Sequence, residues 1–139
     1  MNNTKLIILT FSIITTLMTA QEADKLIGKY RLPNQLEVEL YKVDDKYFGK
    51  IIGFDNLDDE SQLDINNPDK ALRGEPLLGK IIIENLSYDQ TKNEWVNGSM
   101  YGPEKGLIFN LRITDIRENE IEVVGSKYFL WKTLVWQKL

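Results

Sequence analysis

"GLIFNLRITDIRENEIEVVGS", residues 106–126, decides how the rest of the chain is read. Leu107, Phe109, Leu111 and Ile113 fall on every second position, with Asn110 and Arg112 between them. Beyond the turn residues "RENE", Ile121 and Val123 alternate with Glu120 and Glu122. A period of two places the apolar set on one face of a strand and the polar set on the other. Two such runs joined by so short a connection form an antiparallel hairpin.

Working outward, "LEVELYK" (36–42) sets Leu36, Val38 and Leu40 against Glu37 and Glu39. "WKTLVWQKL" (131–139) sets Lys132, Leu134 and Trp136 against Thr133 and Val135. Less regular runs at 25–32, 46–54 and 78–88, together with "EWVNGSMYG" (94–102), bring the expectation to about eight strands. The connections "VDDK", "DQTKN" and "GPEKG" are of hairpin length. Strands with one apolar face, each linked to the next by a hairpin, bury that face and lose their edges by closing. The expected fold is therefore all-β: a single antiparallel up-and-down barrel of about eight strands, with one long loop carrying a short helical turn. A flat two-sheet sandwich is the alternative. Gly49, Gly53, Gly98 and Gly125 lie inside strands and mark bends or bulges.

The chain opens with Lys5 and an uncharged run from Leu6 to Ala20, the layout of a signal peptide. The expected organisation is a leader at 1–20 and one β-barrel domain at 21–139, with the protein secreted or periplasmic. The apolar run falls short of the roughly 20 residues a spanning helix needs, so no stable membrane span is expected after cleavage. Without Lys5, 16 basic residues face 21 acidic ones, a net charge of −5. No basic stripe exists, and no nucleic-acid partner is expected. The absence of cysteine and histidine removes disulfides and the usual zinc and haem ligands. No cofactor or metal is expected.

The long connection, Asp55 to Gly79, holds most of the functional interest. Asn67-Pro68 reads as a helix start, with Asn as cap and Pro in the first position, and Asp69 favours the first turn. Lys70 to Leu72 continue the turn, Arg73 ends it, and Gly74 and Pro76 stop it. Leu72 is expected to cover a barrel end, and Leu77 and Leu78 to re-enter the core. Arg73 is expected to pair with Asp64 or to satisfy loop carbonyls. The acids Asp55, Asp58, Asp59, Glu60, Asp64 and Asp69 invite a calcium site, but their spacing fits no standard calcium loop and no glycine supplies its turn. They read as a solvated acidic loop.

"LDINNPDKALRGEPLLGK" (63–80) resembles the "LD..NPD..LR.RPLLG" signature of the bacterial exported family called domain of unknown function 2147. "LIGKY" and "LEVELYKVDDKYFGKII" resemble that family's opening, "EWVNGSMYGPEKGLIFN" its hairpin, and "IEVVGSKYFLWKTLVWQKL" its ending. Tyr30 stands for the family's Trp, Lys132 for its Arg, Trp131 for its Gly and Glu75 for the second loop Arg. The resemblance implies a lipocalin-like barrel with no established activity. Its motif residues here are Gly28, Tyr30, Asp64, Asn67, Pro68, Asp69, Leu72, Arg73, Pro76, Gly79, Lys132 and Trp136. Lipocalin-like barrels pack an opening aromatic under a cation of the last strand at the closed end, a contact Tyr30 and Lys132 would keep.

Function reads as a binding module for a small apolar or amphipathic ligand, contacted by Tyr47, Trp95, Tyr101, Phe109 and Arg73. The alternative is an envelope or secretion-associated interaction domain with a solid barrel, docking on a protein partner. Catalysis finds no support: Ser99 and Ser126 lie in no nucleophile elbow, and no carboxylate pair is singled out for a hydrolase.

Overall fold

A computed structural model describes residues 2–54 and 62–139, with side chains from residue 13 onward. The expected acids Asp55, Asp58, Asp59 and Glu60 lie outside the described residues. Helix α1 (Asn2–Ala23) leads through a 3-10 turn at Asp24–Leu26 into eight strands. They are β1 (Gly28–Arg31), β2 (Leu36–Val43), β3 (Lys46–Phe54), β4 (Ile81–Asp89), β5 (Glu94–Gly102), β6 (Leu107–Ile116), β7 (Glu120–Lys127) and β8 (Leu130–Lys138). Each strand pairs antiparallel with the next, and β8 returns to β1, closing the barrel in sequence order. Among the described residues no helix is long and apolar enough to cross a membrane.

The period-two reading places the core. Leu36, Val38, Leu40, Leu111, Ile113, Ile121, Val123 and Trp136 are all buried. Intervening Glu37, Glu39, Arg112 and Glu122 stay at the outer surface, where Arg31 holds Glu37 at 2.6 Å and Lys50 meets Glu39 at 3.3 Å. Register shifts occur beside Gly49, Gly53 and Gly98. Gly98 allows close approach: a Cβ there would stand 2.5 Å from the Leu86 side chain.

Because the strands run up and down, the barrel has two chemically different ends. The β1–β2, β3–β4, β5–β6 and β7–β8 connections gather at one end. The other three connections gather at the opposite end, with the entry into β1 and the exit from β8. Strand β1 is short. It meets β8 only at Tyr30↔Lys138 and Arg31↔Gln137, whereas β7 and β8 pair along their whole lengths. The outer half of β8 thus has β7 as its sole strand neighbour among the described residues.

The long loop departs from expectation in three details. Its 3-10 turn covers Lys70–Leu72, and the cap is Asp69, whose side chain accepts from Ala71 N. Asn67 instead accepts from Asp69 N at 2.9 Å, an Asx turn that leaves Pro68 ahead of the helical residues. Leu72 is only half-buried, and Leu77 supplies the buried anchor while Leu78 stays exposed. The isolated bridge Leu63↔Pro76 brings the two ends of this stretch together, so the turn lies on an already closed loop and need not cap the barrel.

Candidate ligand-binding site

One end of the barrel is sealed. Ala23 and Leu26 are buried there, and the indole of Trp95 donates to Ala23 O at 3.0 Å. Tyr30 donates to Leu26 O at 2.8 Å, and Tyr47 to Asp24 Oδ1 at 2.7 Å. Lys42 adds an ion pair to the same carboxylate at 2.9 Å. Hydrogen bonds from Tyr47 and Lys42 hold the Asp24 carboxyl below its usual range. Desolvation pushes the Tyr30 hydroxyl up to about 12 and, helped by Asp24, raises Tyr47 as well. These aromatics therefore serve as neutral donors that bolt the entry segment across the barrel bottom.

The other end opens into a cavity of about 480 Å³. Trp136 lies deepest in chain terms, near the end of β8, and Leu111, Val123 and Leu134 form walls above it. Met100, Phe109 and Leu36 add to the apolar lining, and Leu32, Leu130 and Trp131 border it toward the mouth. Gly125 makes room: a Cβ would sit 3.2 Å from the Phe109 ring. The rim is polar in one sign, with Lys105, Lys127 and Lys132 against a single acid, Glu104. Trp136 is buried, and its indole N–H has no hydrogen-bond partner among the described residues. A buried donor left open costs about 1–3 kcal/mol.

Beside the mouth, the long loop is tied down through a buried carboxylate. Asp64 accepts from Tyr101 at 2.6 Å and from Asn67 Nδ2 at 2.7 Å, and pairs with Lys80 at 3.1 Å. Burial alone would raise its pKa, but those three hydrogen bonds and the Lys80 charge outweigh it, leaving the carboxyl below its usual range. Desolvation and the neighbouring Asp64 push Tyr101 up to about 12. Asn66 donates to the carbonyls of Pro103 and Glu104 at 3.1 and 3.0 Å. Gly106, at φ 62°, lets this happen, since any Cβ there would stand 1.9 Å from Asn66 O. Arg73 donates from Nε to Asn67 O at 2.7 Å, which is the carbonyl role; Asp64 is taken by other partners.

The five residues expected to touch ligand are not gathered in one place. Phe109 lines the cavity. Tyr47 and Trp95 belong to the sealed end, Tyr101 holds Asp64, and Arg73 sits exposed on the loop. The expected Tyr30–Lys132 contact is also replaced. Tyr30 pairs with Lys138, and Lys132 pairs with Gly125 six residues earlier in β8, at the mouth. Six residues of strand span about 20 Å, so the two side chains stand at opposite ends. What sequence reasoning missed is the plug from Ala23 to Leu26, which carries no motif, and the mouth walls from Leu32 and Met100. Leu134 and Trp136 had already been placed on the inward face by alternation.

An eight-stranded up-and-down barrel, closed at one end by an N-terminal segment and hollow at the other, is a lipocalin-like structure. Over residues 28–138 the chain matches, and belongs to, the family described as "Uncharacterized protein conserved in bacteria (DUF2147)". Among solved structures it is similar to protein HP1028 from the human pathogen Helicobacter pylori, described as belonging to the lipocalin family. The two share 20% identity over 82% of each chain, with a TM-score of 0.74. That likeness concerns the fold. No curated protein matches the chain.

Proposed function

We propose that this protein is an exported, non-catalytic binding module that holds a small amphipathic molecule in the open half of its barrel. The observation that carries the reading is the cavity itself. About 480 Å³ falls within the usual range for small-molecule sites, roughly 300–1,000 Å³, and the lining is mainly apolar. The rim lysines add a positive mouth. An apolar body with an acidic or strongly polar head toward the rim matches this lining. Export rests on Lys5 and the uncharged Leu6–Ala20 run. The tyrosines and carboxylates with shifted pKa values at both ends are engaged in structural hydrogen bonds, which supports a role in holding the barrel shape over one in catalysis.

Native mass spectrometry of protein purified from its own host tests the reading. A single adduct of small-molecule mass, lost on organic extraction, is expected. Protein that leaves the cell envelope without any adduct, and takes up none from a total lipid extract, would count against it.

A further inference from the structure

The β7–β8 hairpin ends in an uncovered apolar tip. Tyr128, Phe129, Leu130 and Trp131 are 89%, 81%, 66% and 77% exposed. Leu107 and Ile108, at the start of β6, are exposed beside them, and Lys127 Nζ ties the two strands by donating to Ile108 O at 2.8 Å. Tyr128 and Phe129 form the two-residue turn between the paired residues Lys127 and Leu130. Tyr128 has φ 55°, in the left-handed region that such turns usually give to glycine or asparagine. An aromatic residue there carries strain of about 1–3 kcal/mol. No burial offsets it, since the ring stands in solvent with the Lys127 ammonium 5.4 Å from its centroid. Fold stability alone gives no reason to retain such a tip.

Its composition indicates what covers it. Residues 127–132 contain two lysines and no acid, in a chain whose net charge is −4. Lys105 adds a third cation at the same mouth. Tyrosine and tryptophan rings beside lysines settle at the membrane–water boundary, rings at headgroup level and ammonium groups toward the phosphates. A hairpin tip of about six side chains is also small beside the roughly 20–30 residues per partner of a stable protein interface. Shallow interfacial docking needs only a few apolar anchors and attraction to anionic headgroups. We propose that the β7–β8 tip docks the barrel mouth onto the interface of a lipid bilayer carrying anionic headgroups. The docking stands whether or not the cavity holds a ligand.

Trp131 stands at the tip and also borders the cavity, while the other two tryptophans, Trp95 and Trp136, are 3% and 1% exposed. Quenching from brominated acyl chains that is lost with the tip rings distinguishes docking from occupation of the cavity. The full chain is titrated with vesicles of phosphatidylcholine and phosphatidylglycerol, some brominated on the acyl chains. Trp131 emission is expected to move to the blue and to be quenched by the brominated lipid, with a weaker response to phosphatidylcholine alone. The double variant Tyr128→Ser, Phe129→Ser keeps α1 and Trp131 and alters only exposed positions that do not line the cavity. It should melt as the parent does and associate about tenfold or more weakly by that emission change. Trp131 emission that stays unmoved and unquenched overturns the proposal, including the case where the chain associates through α1. So does a variant that responds as the parent does. Capture of a specific protein through the tip, with no response to vesicles, would assign this surface to a protein partner instead.

Discussion

The two ends of this barrel are built from the same kinds of residue and do opposite things. At the sealed end, Tyr30, Tyr47 and Trp95 are buried and each donates to the segment that enters the fold. In the open half, Phe109 lines empty space above a deep-lying Trp136, and at the mouth Tyr128, Phe129 and Trp131 stand in solvent. The difference lies in what the chain supplies as partner. Ala23 to Leu26 offers carbonyls and a carboxylate to the first group, while the N–H of Trp136 has no partner among the described residues. Aromatic content alone therefore does not identify a binding surface; hydrogen-bond accounting at each ring does.

The largest expected effect breaks this comparison directly. Trp95→Ala removes a buried ring and its bond to Ala23 O, and should cost about 3–5 kcal/mol in a denaturant melt. Trp131→Ala at the mouth should stay within about 0.5 kcal/mol of the parent. Comparable losses at both positions would mean the mouth is as tightly packed as the seal.

Next in size is the loop clamp. Asp64→Ala leaves Tyr101, Asn67 and Lys80 without their shared acceptor and should cost about 2–3 kcal/mol. Exchange of the Asn67 amide hydrogen, held by Asp64 O, should quicken at the same time. A melt unchanged by this substitution would show that the loop is anchored by Leu77 and the Leu63–Pro76 bridge instead.

Titration sharpens the contrast further. The Asp64 carboxyl lies lower in the folded chain than its ordinary value of 3.8, so its contribution is complete above that pH and is lost as pH falls toward and through the folded value. Tyr30 and Tyr101 are raised from 10.0 to about 12, so their neutral forms favour the fold below pH 10, and that stability is lost as pH rises through about 12. Denaturant midpoints followed with pH should fall at both extremes, and Tyr30→Phe should flatten the alkaline arm. An alkaline arm of the same slope in that variant would place the titrating group elsewhere.

Of the loop substitutions, Arg73→Ala is expected to have the smaller effect, about 1 kcal/mol, because its bond to Asn67 O lies on an exposed side chain. A much larger loss would show that Arg73 organises the loop in a way this single bond does not explain.

Much of the fold was legible because alternation is a local property. Each of the runs around Val38, Leu111 and Val123 states its own inward face, and short turns leave neighbouring strands one way to pair. The capping chemistry was nearly legible: Asn67 and Asp69 were both expected at the helix start, and the structure moves the cap from Asn67 to Asp69 and gives Asn67 an Asx turn ahead of it. The division of the aromatics between the ends was not legible. It depends on which side of the barrel each strand begins and on a plug, Ala23–Leu26, whose sequence carries no pattern of its own. Tyr47 and Trp95 begin their strands at the sealed end, while Phe109 and Trp131 begin theirs at the mouth. Strand parity alone does not state that longitudinal position.

The central claim, that the mouth half is a hollow apolar site, is tested most directly by titration with N-phenyl-1-naphthylamine, an uncharged fluorescent apolar probe. Leu134 lies on the cavity wall and is half-buried, so Leu134→Trp narrows the space without disturbing the seal at the opposite end. Saturable one-to-one binding by the parent chain is expected, weakened in Leu134→Trp while the melt shifts by no more than about 1 kcal/mol. Absence of saturable binding to the parent, or equal binding by both chains, would contradict the claim.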